Sequence, residues 1–226
     1  MINVNAYKEY NKKVVLDVRG VAFDEGRIYA VIGSNGSGKS TLLKCISSTI
    51  KYTGKADSDG MKLSSVGYLP QKNFAFDMSV KNNMLLNRQN VSRKNAVADA
   101  LVMLKKFDLV KYLHKNASRL SGGETQKLAV CRLFMGDYKL VLLDEPTASL
   151  DINSTVKTEE MIVDYQSSHH STVIMATHSL RQAKAIADYV VYIENGIIEE
   201  ITPTKEFFKE PKSEKAKAFL SFHTDF

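Results

Sequence analysis

The chain has 226 residues, a net charge of +6 at neutral pH and 44% hydrophobic residues. This length suits one large domain or two small ones, and the hydrophobic fraction is sufficient for a packed core. The longest apolar runs, IYAVIG and KLVLL, are far too short to cross a bilayer. The N-terminus has no basic start followed by an apolar stretch, so we expect no secretory signal.

The charge distribution and the cysteines indicate no specialised site. Lysines are spread along the whole chain, which fits anionic ligands or partners weakly and is more typical of a solvated surface, and we expect no nucleic-acid partner. Cys45 and Cys131 lie in apolar helical patterns without a neighbouring Cys or His in register. We therefore expect both to be small buried residues of a reduced cytosolic protein, and not part of a disulfide or a metal site.

Short β-branched runs alternate with helical patterns in the first part of the chain. This alternation predicts an α/β fold with a mostly parallel sheet. IYAVIG at 28–33 predicts a buried strand, SGKSTLLKCISST predicts the helix after a glycine-rich loop, and SVGYLPQ predicts a short strand. Helical patterns then dominate, for example NAVADALVMLKKF, in which Val97, Leu101 and Leu104 share one face.

The second part of the chain returns to strands. KLVLLDEP and STVIMATH predict two more strands, and YVVYIENGIIEEI predicts a hairpin around its Asn-Gly pair. The charge-dense segment KEFFKEPKSEKAKAF predicts an amphipathic helix docked on the core. We expect one domain over residues 1–226, in which a helical segment (79–135) interrupts a core formed by 1–78 and 136–226.

A glycine-rich loop is the first candidate binding site. GSNGSGKS at 33–40 fits the pattern G-x-x-x-x-G-K-[ST] at every fixed position, between a predicted strand and a predicted helix. The glycines allow the backbone to curl so that successive N–H groups point at phosphate oxygens. Lys39 can reach the β- and γ-phosphates, and the Ser40 hydroxyl can ligate Mg²⁺. The predicted nucleotide-binding residues are Gly33, Ser34, Asn35, Gly36, Ser37, Gly38, Lys39, Ser40 and Thr41.

Polar residues at three other strand ends complete this site. KLVLLDEP delivers Asp144, which would hold Mg²⁺ directly or through water, and Glu145, which would polarise the attacking water as general base. His178, after STVIMA, could contact the γ-phosphate, although a lone histidine is usually structural. Gln71 follows SVGYLP and is an amide that could bond the metal or the water.

The sequence contains no motif that would recognise a particular nucleotide base. GTP-specific P-loop enzymes usually carry an N-K-x-D motif, and the nearest match in the sequence, NKKV at 11–14, fails at its last position. We expect the base to stack on an aromatic ring. Tyr10, with Tyr7 as the alternative, could supply that ring, and an ordinary core or surface tyrosine is an equally good interpretation of either.

LSGGETQKL at 120–128 begins like a second anion site. Ser121 and Glu124 form the capping-box pattern Ser-x-x-Glu before a predicted helix, whose first N–H groups would be exposed. By itself this pattern predicts no more than a capped helix. With GxxxxGKS upstream and the DEP strand downstream, LSGGE resembles the signature motif of ABC-type ATPase domains.

The resemblance covers nearly the whole chain. Six motifs occur in the family's order: GSNGSGKS (Walker A), VGYLPQK (Q-loop, Gln71), LSGGE (signature), VLLDEP (Walker B, Glu145), SLD (D-loop, 149–151) and ATH (switch histidine, His178). Tyr10 lies where the family usually places its adenine-stacking aromatic. The resemblance implies an ATP- and Mg²⁺-dependent hydrolase with the P-loop NTPase fold, which has a mostly parallel sheet, a small antiparallel β part and an inserted helical subdomain.

The resemblance also implies a partner subunit. In this family two ATPase domains pack head to tail, and the signature of one faces the P-loop of the other across ATP. We therefore expect a second ATPase subunit, most simply another copy of this chain. Ser121, Gly122, Gly123 and Asp151 would contact the nucleotide that the partner holds.

Some features depart from the family's usual pattern. The span from Lys39 to Gln71 is short, which implies a trimmed antiparallel β part. The common Gln-Gln-Arg after LSGGE appears here as TQK at 125–127, and Asp77 stands where proline is common.

ATPases of this family that lack a membrane span usually act as separate subunits. The resemblance implies a place on the cytoplasmic face of the cell membrane, docked on integral membrane permease subunits. Candidates for the lining of the docking groove are Phe74, Phe76, Met78 and Val80, with packing inside the helical segment as the alternative.

The C-terminal segment resembles that of ATPases from bacterial importers of amino acids, phosphate and tungstate- or molybdate-like oxyanions. Such importers also use a solute-binding protein. We expect uptake of a small anionic solute, and a non-transport ATPase of the iron–sulfur cluster assembly type or an exporter ATPase are the alternatives. Chromosome-binding relatives need a long coiled coil, and the sequence has no sustained heptads.

Overall fold

Two β-sheets form the framework of the protein in the computed structural model, which describes residues 1–57, 62–88 and 91–222. The strands are β1 (Ile2–Tyr10), β2 (Lys13–Phe23), β3 (Ile28–Ile32), β4 (Thr53–Asp57), β5 (Val66–Leu69), β6 (Leu140–Asp144), β7 (Thr172–Ala176), β8 (Tyr189–Glu194) and β9 (Ile197–Pro203). The helices are α1 (Lys39–Ile46), α2 (Val80–Leu85), α3 (Arg93–Lys106), α4 (Gly122–Phe134), α5 (Ile152–His169), α6 (Leu180–Ile186), α7 (Thr204–Lys209) and α8 (Glu214–Ser221).

The larger sheet has the strand order β5-β6-β7-β3-β8-β9. All its neighbouring strands pair in parallel except β8 and β9, which form an antiparallel hairpin. The smaller sheet is antiparallel, in the order β2-β1-β4. This arrangement confirms the predicted α/β fold with a mostly parallel sheet and a small antiparallel part.

The central strands are continuous apolar runs because both faces of the larger sheet are covered. Along β3, Ile28, Ala30 and Ile32 face the core that includes the inserted helices, whereas Tyr29 and Val31 face a second core under α1 and the smaller sheet. β6 and β7 alternate between the same two cores. The sheet is therefore the middle layer between two separate apolar clusters.

The helices α2, α3 and α4 lie between β5 and β6 in the chain, as the sequence predicted. The buried face of α3 differs from the prediction, because Ala96 and Ala100 are buried together with Leu104, whereas Val97 and Leu101 are only partly buried. The contacts of α3 with α2 and α4 explain this difference, since small side chains allow helices to approach closely. The helical period and the burial of Leu104 were predicted correctly, but the centre of the buried face lies at Ala96 and Ala100 and not at Val97 and Leu101.

The hairpin follows its sequence pattern, whereas the C-terminal segment differs from its prediction. Asn195 and Gly196 connect β8 to β9 with φ of 50° and 79°, the left-handed conformations that a two-residue hairpin turn needs. The charge-dense segment forms α7 and α8, two helices instead of the single predicted one. Phe207 of α7 is fully buried and lies near Tyr192 of β8, which docks this segment on the sheet. No helix in the described parts of the chain is long and apolar enough to span a membrane.

The packing of α3 gives a stability prediction. Leu104→Ala should reduce the free energy of unfolding by about 2–5 kcal/mol, because Leu104 is fully buried and its loss leaves a cavity. Val102→Ala on the same helix should change it by less than about 0.5 kcal/mol, because Val102 is 64% exposed. Urea denaturation measures both values, and equal losses in the two variants would contradict this packing.

Candidate functional site

The glycine-rich loop after β3 has a conformation that only glycine tolerates. Gly33 and Gly38 have φ of 154° and 111°. A Cβ on Gly33 would lie 2.0 Å from the carbonyl oxygen of Ile193, so the position also lacks space for a side chain. Gly38 is the N-cap of α1 and provides no side-chain cap, which leaves the first N–H groups of this helix for another acceptor.

Lys39 places a positive charge inside this loop. Its Nζ donates to the carbonyl oxygens of Gly33 and Ser34, each at 2.9 Å, and the side chain is almost fully buried. Burial lowers the pKa of Lys39, and the nearby carboxylates of Glu145, Asp144 and Glu194 oppose that shift. The loop thus holds a cation that bulk water does not solvate well.

The other loop residues range from buried to exposed. The Ser37 hydroxyl is buried and has no hydrogen-bond partner among the described residues, which is unusual for a polar group inside a protein. An oxygen-rich ligand in the loop would satisfy it. The remaining predicted residues are exposed (Asn35 and Gly36) or half-buried (Ser34, Ser40 and Thr41).

Ser40 and Asp144 meet although 104 positions separate them in the chain. Ser40 lies in the first turn of α1 and Asp144 ends β6. The Ser40 hydroxyl donates to Asp144 Oδ1 at 2.9 Å. Burial raises the pKa of Asp144, while hydrogen bonds from Ser40 and the main chain of Gln71 and the charges of two lysines oppose this shift. The side chain of Gln71 itself is exposed at the end of β5.

Glu145 and His178 form a second pair at the same edge. His178 Nδ1 lies 2.7 Å from Glu145 Oε2. Glu145 has a φ of 53°, and its N–H donates to the carbonyl oxygen of Ala176, so the backbone after β6 is turned towards β7. The Glu145 side chain is 10% exposed and that of His178 is 65% exposed, which places the pair at the boundary between protein and solvent.

The parallel strand order explains why these residues meet. β5, β6, β7 and β3 are consecutive neighbours in the sheet, and their carboxyl ends share one edge. Gln71, Asp144 with Glu145, His178 and the glycine-rich loop follow these four strands in turn. The side chains predicted for catalysis and metal binding are therefore brought to one place.

The tyrosines considered for stacking lie on the smaller sheet. Tyr10 is 48% exposed at the end of β1, and Lys8 Nζ lies 4.6 Å from the centre of its ring. The Tyr7 hydroxyl donates to Glu9 at 3.2 Å. Because the Tyr10 ring is exposed, an adenine base could stack on it, and Tyr10 remains the candidate for this contact.

The signature segment begins α4 with a complete capping box. Ser121 Oγ accepts a hydrogen bond from the N–H of Glu124, and the Glu124 carboxylate accepts one from the N–H of Ser121. A Cβ on Gly122 would meet no described atom within 4 Å, and one on Gly123 would meet only the Ser149 carbonyl oxygen at 3.4 Å. The packing within the described chain therefore does not require either glycine, although glycine weakens a helix.

Lys127, which departs from the usual signature pattern, and its neighbour Gln126 have structural roles that the sequence did not reveal. Lys127 Nζ donates to Asp151 Oδ2 at 2.9 Å. Asp151 also caps α5 by accepting from the N–H and hydroxyl of Ser154, and these bonds, that of the Ser154 N–H foremost, lower the pKa of Asp151. Gln126 accepts from Asn73 and donates to the carbonyl oxygen of Pro146. These side chains connect α4 to the segments after β5 and β6.

One further acidic residue approaches the glycine-rich loop. The carboxylate of Glu194, at the end of β8, accepts a hydrogen bond from the Ser34 hydroxyl. Sequence reasoning missed this contact because 160 positions separate the two residues. Its only signal in the sequence is that Glu194 stands immediately before the predicted Asn-Gly turn.

An aromatic surface lies beside the Q-loop. Phe74 and Phe76 are 53% and 40% exposed, their rings meet edge to face, and the Arg132 guanidinium lies over both. They border a groove of about 380 Å³. Met78 is only partly buried, whereas Val80 is fully buried. For Val80, the first residue of α2, the burial therefore agrees with the alternative of packing inside the helical segment and not with a place in the groove lining.

Comparisons with known proteins agree with this geometry. The phosphate import ATP-binding protein PstB of Campylobacter jejuni is 35% identical, over 97% of this chain and 96% of that protein. The tungstate uptake system ATP-binding protein TupC of Peptoclostridium acidaminophilum is 34% identical, over 87% of this chain and 95% of that protein.

The fold and the family pattern lead to the same assignment. A dimeric structure of the ATP-binding cassette MJ0796, described as a post-hydrolysis form bound to ADP and Pi, superposes with a TM-score of 0.77 at 22% identity, over 90% of this chain and 99% of that one. The family described as ABC transporter matches residues 17–148. The chain therefore belongs to the ABC transporter family and is an ATPase of that family.

Proposed function

We propose that the chain is the ATP-hydrolysing subunit of an importer, in which it drives uptake of a small oxyanion through separate membrane subunits. The hydrolytic part rests on one observation, that the pairs Ser40–Asp144 and Glu145–His178 meet at the same edge of the larger sheet. The import part is supported by the names of the relatives, which refer to phosphate import and tungstate uptake. Phosphate and tungstate are both tetrahedral oxyanions, so this solute class is preferred to amino acids, and neither relative's name favours export or iron–sulfur cluster assembly.

The phosphates of ATP would lie along the loop at 33–41. Lys39 supplies a poorly solvated cation, the buried Ser37 hydroxyl lacks a partner among the described residues, and the first N–H groups of α1 have no side-chain cap. These are the donors that a triphosphate satisfies. The exposed ring of Tyr10 would stack on the adenine.

The same edge of the sheet fits Mg²⁺. The Ser40 hydroxyl and the Asp144 carboxylate are adjacent, and oxygen atoms of this kind are the ligands that Mg²⁺ prefers, together with substrate phosphates and water. Gln71, whose main chain bonds to Asp144, would add its amide oxygen. A bound Mg²⁺ would neutralise charge on the phosphates.

Glu145 would act as the general base. His178 bonds to Oε2 of Glu145 and orients the carboxylate, so that Oε1 can accept a proton from the attacking water. The exposed imidazole of His178 would reach the γ-phosphate with its second nitrogen.

Hydrolysis would require two subunits. Gly122 and Gly123 have no packing role within the described chain, which is consistent with a surface that another molecule approaches closely. The N-terminus of α4 would meet the γ-phosphate held by the partner, with Ser121, Gly122 and Gly123 as contacts. Asp151 would act beside them, in a position that Ser154 and Lys127 stabilise. The dimeric form of the similar cassette supports this arrangement.

Docking on the membrane subunits would use the aromatic surface of Phe74 and Phe76. This surface lies on the edge of the helical segment 79–135, which we propose to be a subdomain within a single domain, set between core segments 1–78 and 136–226. The protein would then lie on the cytoplasmic face of the cell membrane. A solute-binding protein outside that membrane would select the oxyanion.

Glu145→Gln should abolish hydrolysis and leave ATP binding intact. Removal of the general base should slow phosphate release by about 10²–10⁴-fold, while the affinity for ATP should change by less than about twofold. Glu160→Gln, the same change at an exposed position of α5, is the control and should behave like the wild type. Hydrolysis at the wild-type rate by Glu145→Gln would exclude Glu145 as the base.

Gly122→Asp should separate the stability of the subunit from its dimerisation. A carboxylate in the first turn of α4 favours the helix, so the thermal midpoint should stay or rise. The same charge would repel the partner's γ-phosphate, so ATP-dependent dimerisation in a Glu145→Gln background should be lost in sedimentation. Asn95→Asp, in the first turn of α3, is the control and should still dimerise; a Gly122→Asp dimer would refute the signature contact.

The solute class is tested in the complete transporter. The chain, purified with its membrane subunits and reconstituted with the solute-binding protein, should show ATPase activity that rises with phosphate, molybdate or tungstate, and not with glutamine. The Phe74→Asp variant should hydrolyse ATP as an isolated subunit but lose association with the membrane subunits. Stimulation by glutamine alone would overturn the oxyanion assignment and leave the ATPase assignment in place.

A further inference from the structure

The turn between β8 and β9 is packed directly against the glycine-rich loop. The N–H of Gly196 donates to the Ser37 carbonyl oxygen at 2.8 Å. The Ile193 carbonyl oxygen occupies the space that a side chain on Gly33 would need. A Cβ on Gly38 would lie 3.3 Å from Gly196 Cα. The loop is therefore supported along its length by a turn from a distant part of the chain.

A side-chain contact strengthens this support. The Ser34 hydroxyl lies 2.7 Å from both carboxylate oxygens of Glu194, a short distance typical of a hydrogen bond to a charged acceptor. The Ser34 carbonyl oxygen in turn accepts from Lys39 Nζ at 2.9 Å. Glu194, Ser34 and Lys39 thus form a continuous series of contacts from the turn to the centre of the loop.

A carboxylate beside an anion-binding loop is unfavourable for the anion by charge alone. Glu194 is only partly buried, and its negative charge would repel a bound phosphate. A favourable contribution to ATP binding would have to offset this repulsion. The hydrogen bond to Ser34 provides one, because a glycine-rich loop is flexible and loses conformational entropy when it orders around a ligand.

We propose that Glu194 is a positioning residue of the ATP site: by holding Ser34 it orders the glycine-rich loop before the nucleotide binds. This inference rests on the proposed ATP site at 33–41 and adds to it a residue from outside the sequence motifs.

The role of Glu194 predicts a specific pattern of kinetic effects. Glu194→Ala should raise the KM for ATP by about 10–100-fold, the equivalent of one hydrogen bond to a charged group, and change kcat by less than about twofold. Glu194→Gln should stay within about threefold of the wild type, because its amide oxygen still accepts from Ser34. Ser34→Ala should match Glu194→Ala.

The double variant isolates the contact itself. Ser34→Ala combined with Glu194→Ala should raise KM no more than either single change, because both remove the same bond. Glu199→Ala is the matched control: this carboxylate lies on β9 of the same hairpin but pairs with Lys215, and its loss should leave KM unchanged. Thermal midpoints of all variants separate local effects from unfolding.

Three outcomes would overturn the inference. The first is a wild-type KM in Glu194→Ala, and the second is full additivity in the double variant. The third is a lower KM in both Glu194→Ala and Glu194→Gln, which would show that the carboxylate acts only as a repelling charge. The Lys39→Ala variant distinguishes these three outcomes from a failure of the proposed ATP site. If Lys39→Ala still binds ATP, the proposed site is wrong. If Lys39→Ala does not bind ATP and Glu194→Ala behaves like the wild type, only the role of Glu194 is wrong.

Discussion

The parallel pairing of β5, β6, β7 and β3 is the constraint on which the rest of the structure depends. Parallel strands end at a common edge, so residues far apart in the sequence become neighbours without any local signal between them. The hydrogen bond from Ser40 to Asp144 and the contact of His178 with Glu145 both follow from this pairing. The two apolar cores on either side of the sheet stabilise the pairing, because each central strand contributes side chains to both.

The site combines desolvated charges of opposite sign. Burial lowers the pKa of Lys39 and raises that of Asp144, so each group is less favourable in its charged form than in water. Each is compensated by its neighbours: Lys39 by the carboxylates around it and by loop carbonyl oxygens, and Asp144 by Ser40 and by lysines. Such a site fits the ATP and Mg²⁺ that we propose as its ligands.

The two glycine-containing segments serve different purposes, which their local geometry distinguishes. Gly33 is required by the chain itself, because its φ and the nearby Ile193 carbonyl oxygen exclude a side chain. Gly122 is not required by any described neighbour. The glycine-rich loop is therefore packed against other parts of the chain, whereas the signature segment leaves the N-terminal end of α4 uncovered by the described residues. This difference explains why one chain carries two sequence patterns typical of anion binding: the first belongs to the chain's own glycine-rich loop, and the second lies on the surface at the start of α4.

The sequence by itself determined the element types, the glycine-rich loop, the residues at the strand ends and the family, because these depend on local patterns and fixed spacings. It did not determine which face of α3 is buried, since the approach of neighbouring helices selected Ala96 and Ala100 over larger residues. It also left open whether Val80 lines a groove or packs inside the helical segment, and it left Lys127 without a role. Only the tertiary structure decided the contacts of Lys127 with Asp151 and of Glu194 with Ser34. The physical reason is that these bonds join segments 24 and 160 positions apart, and strand order, not sequence pattern, brings such segments together.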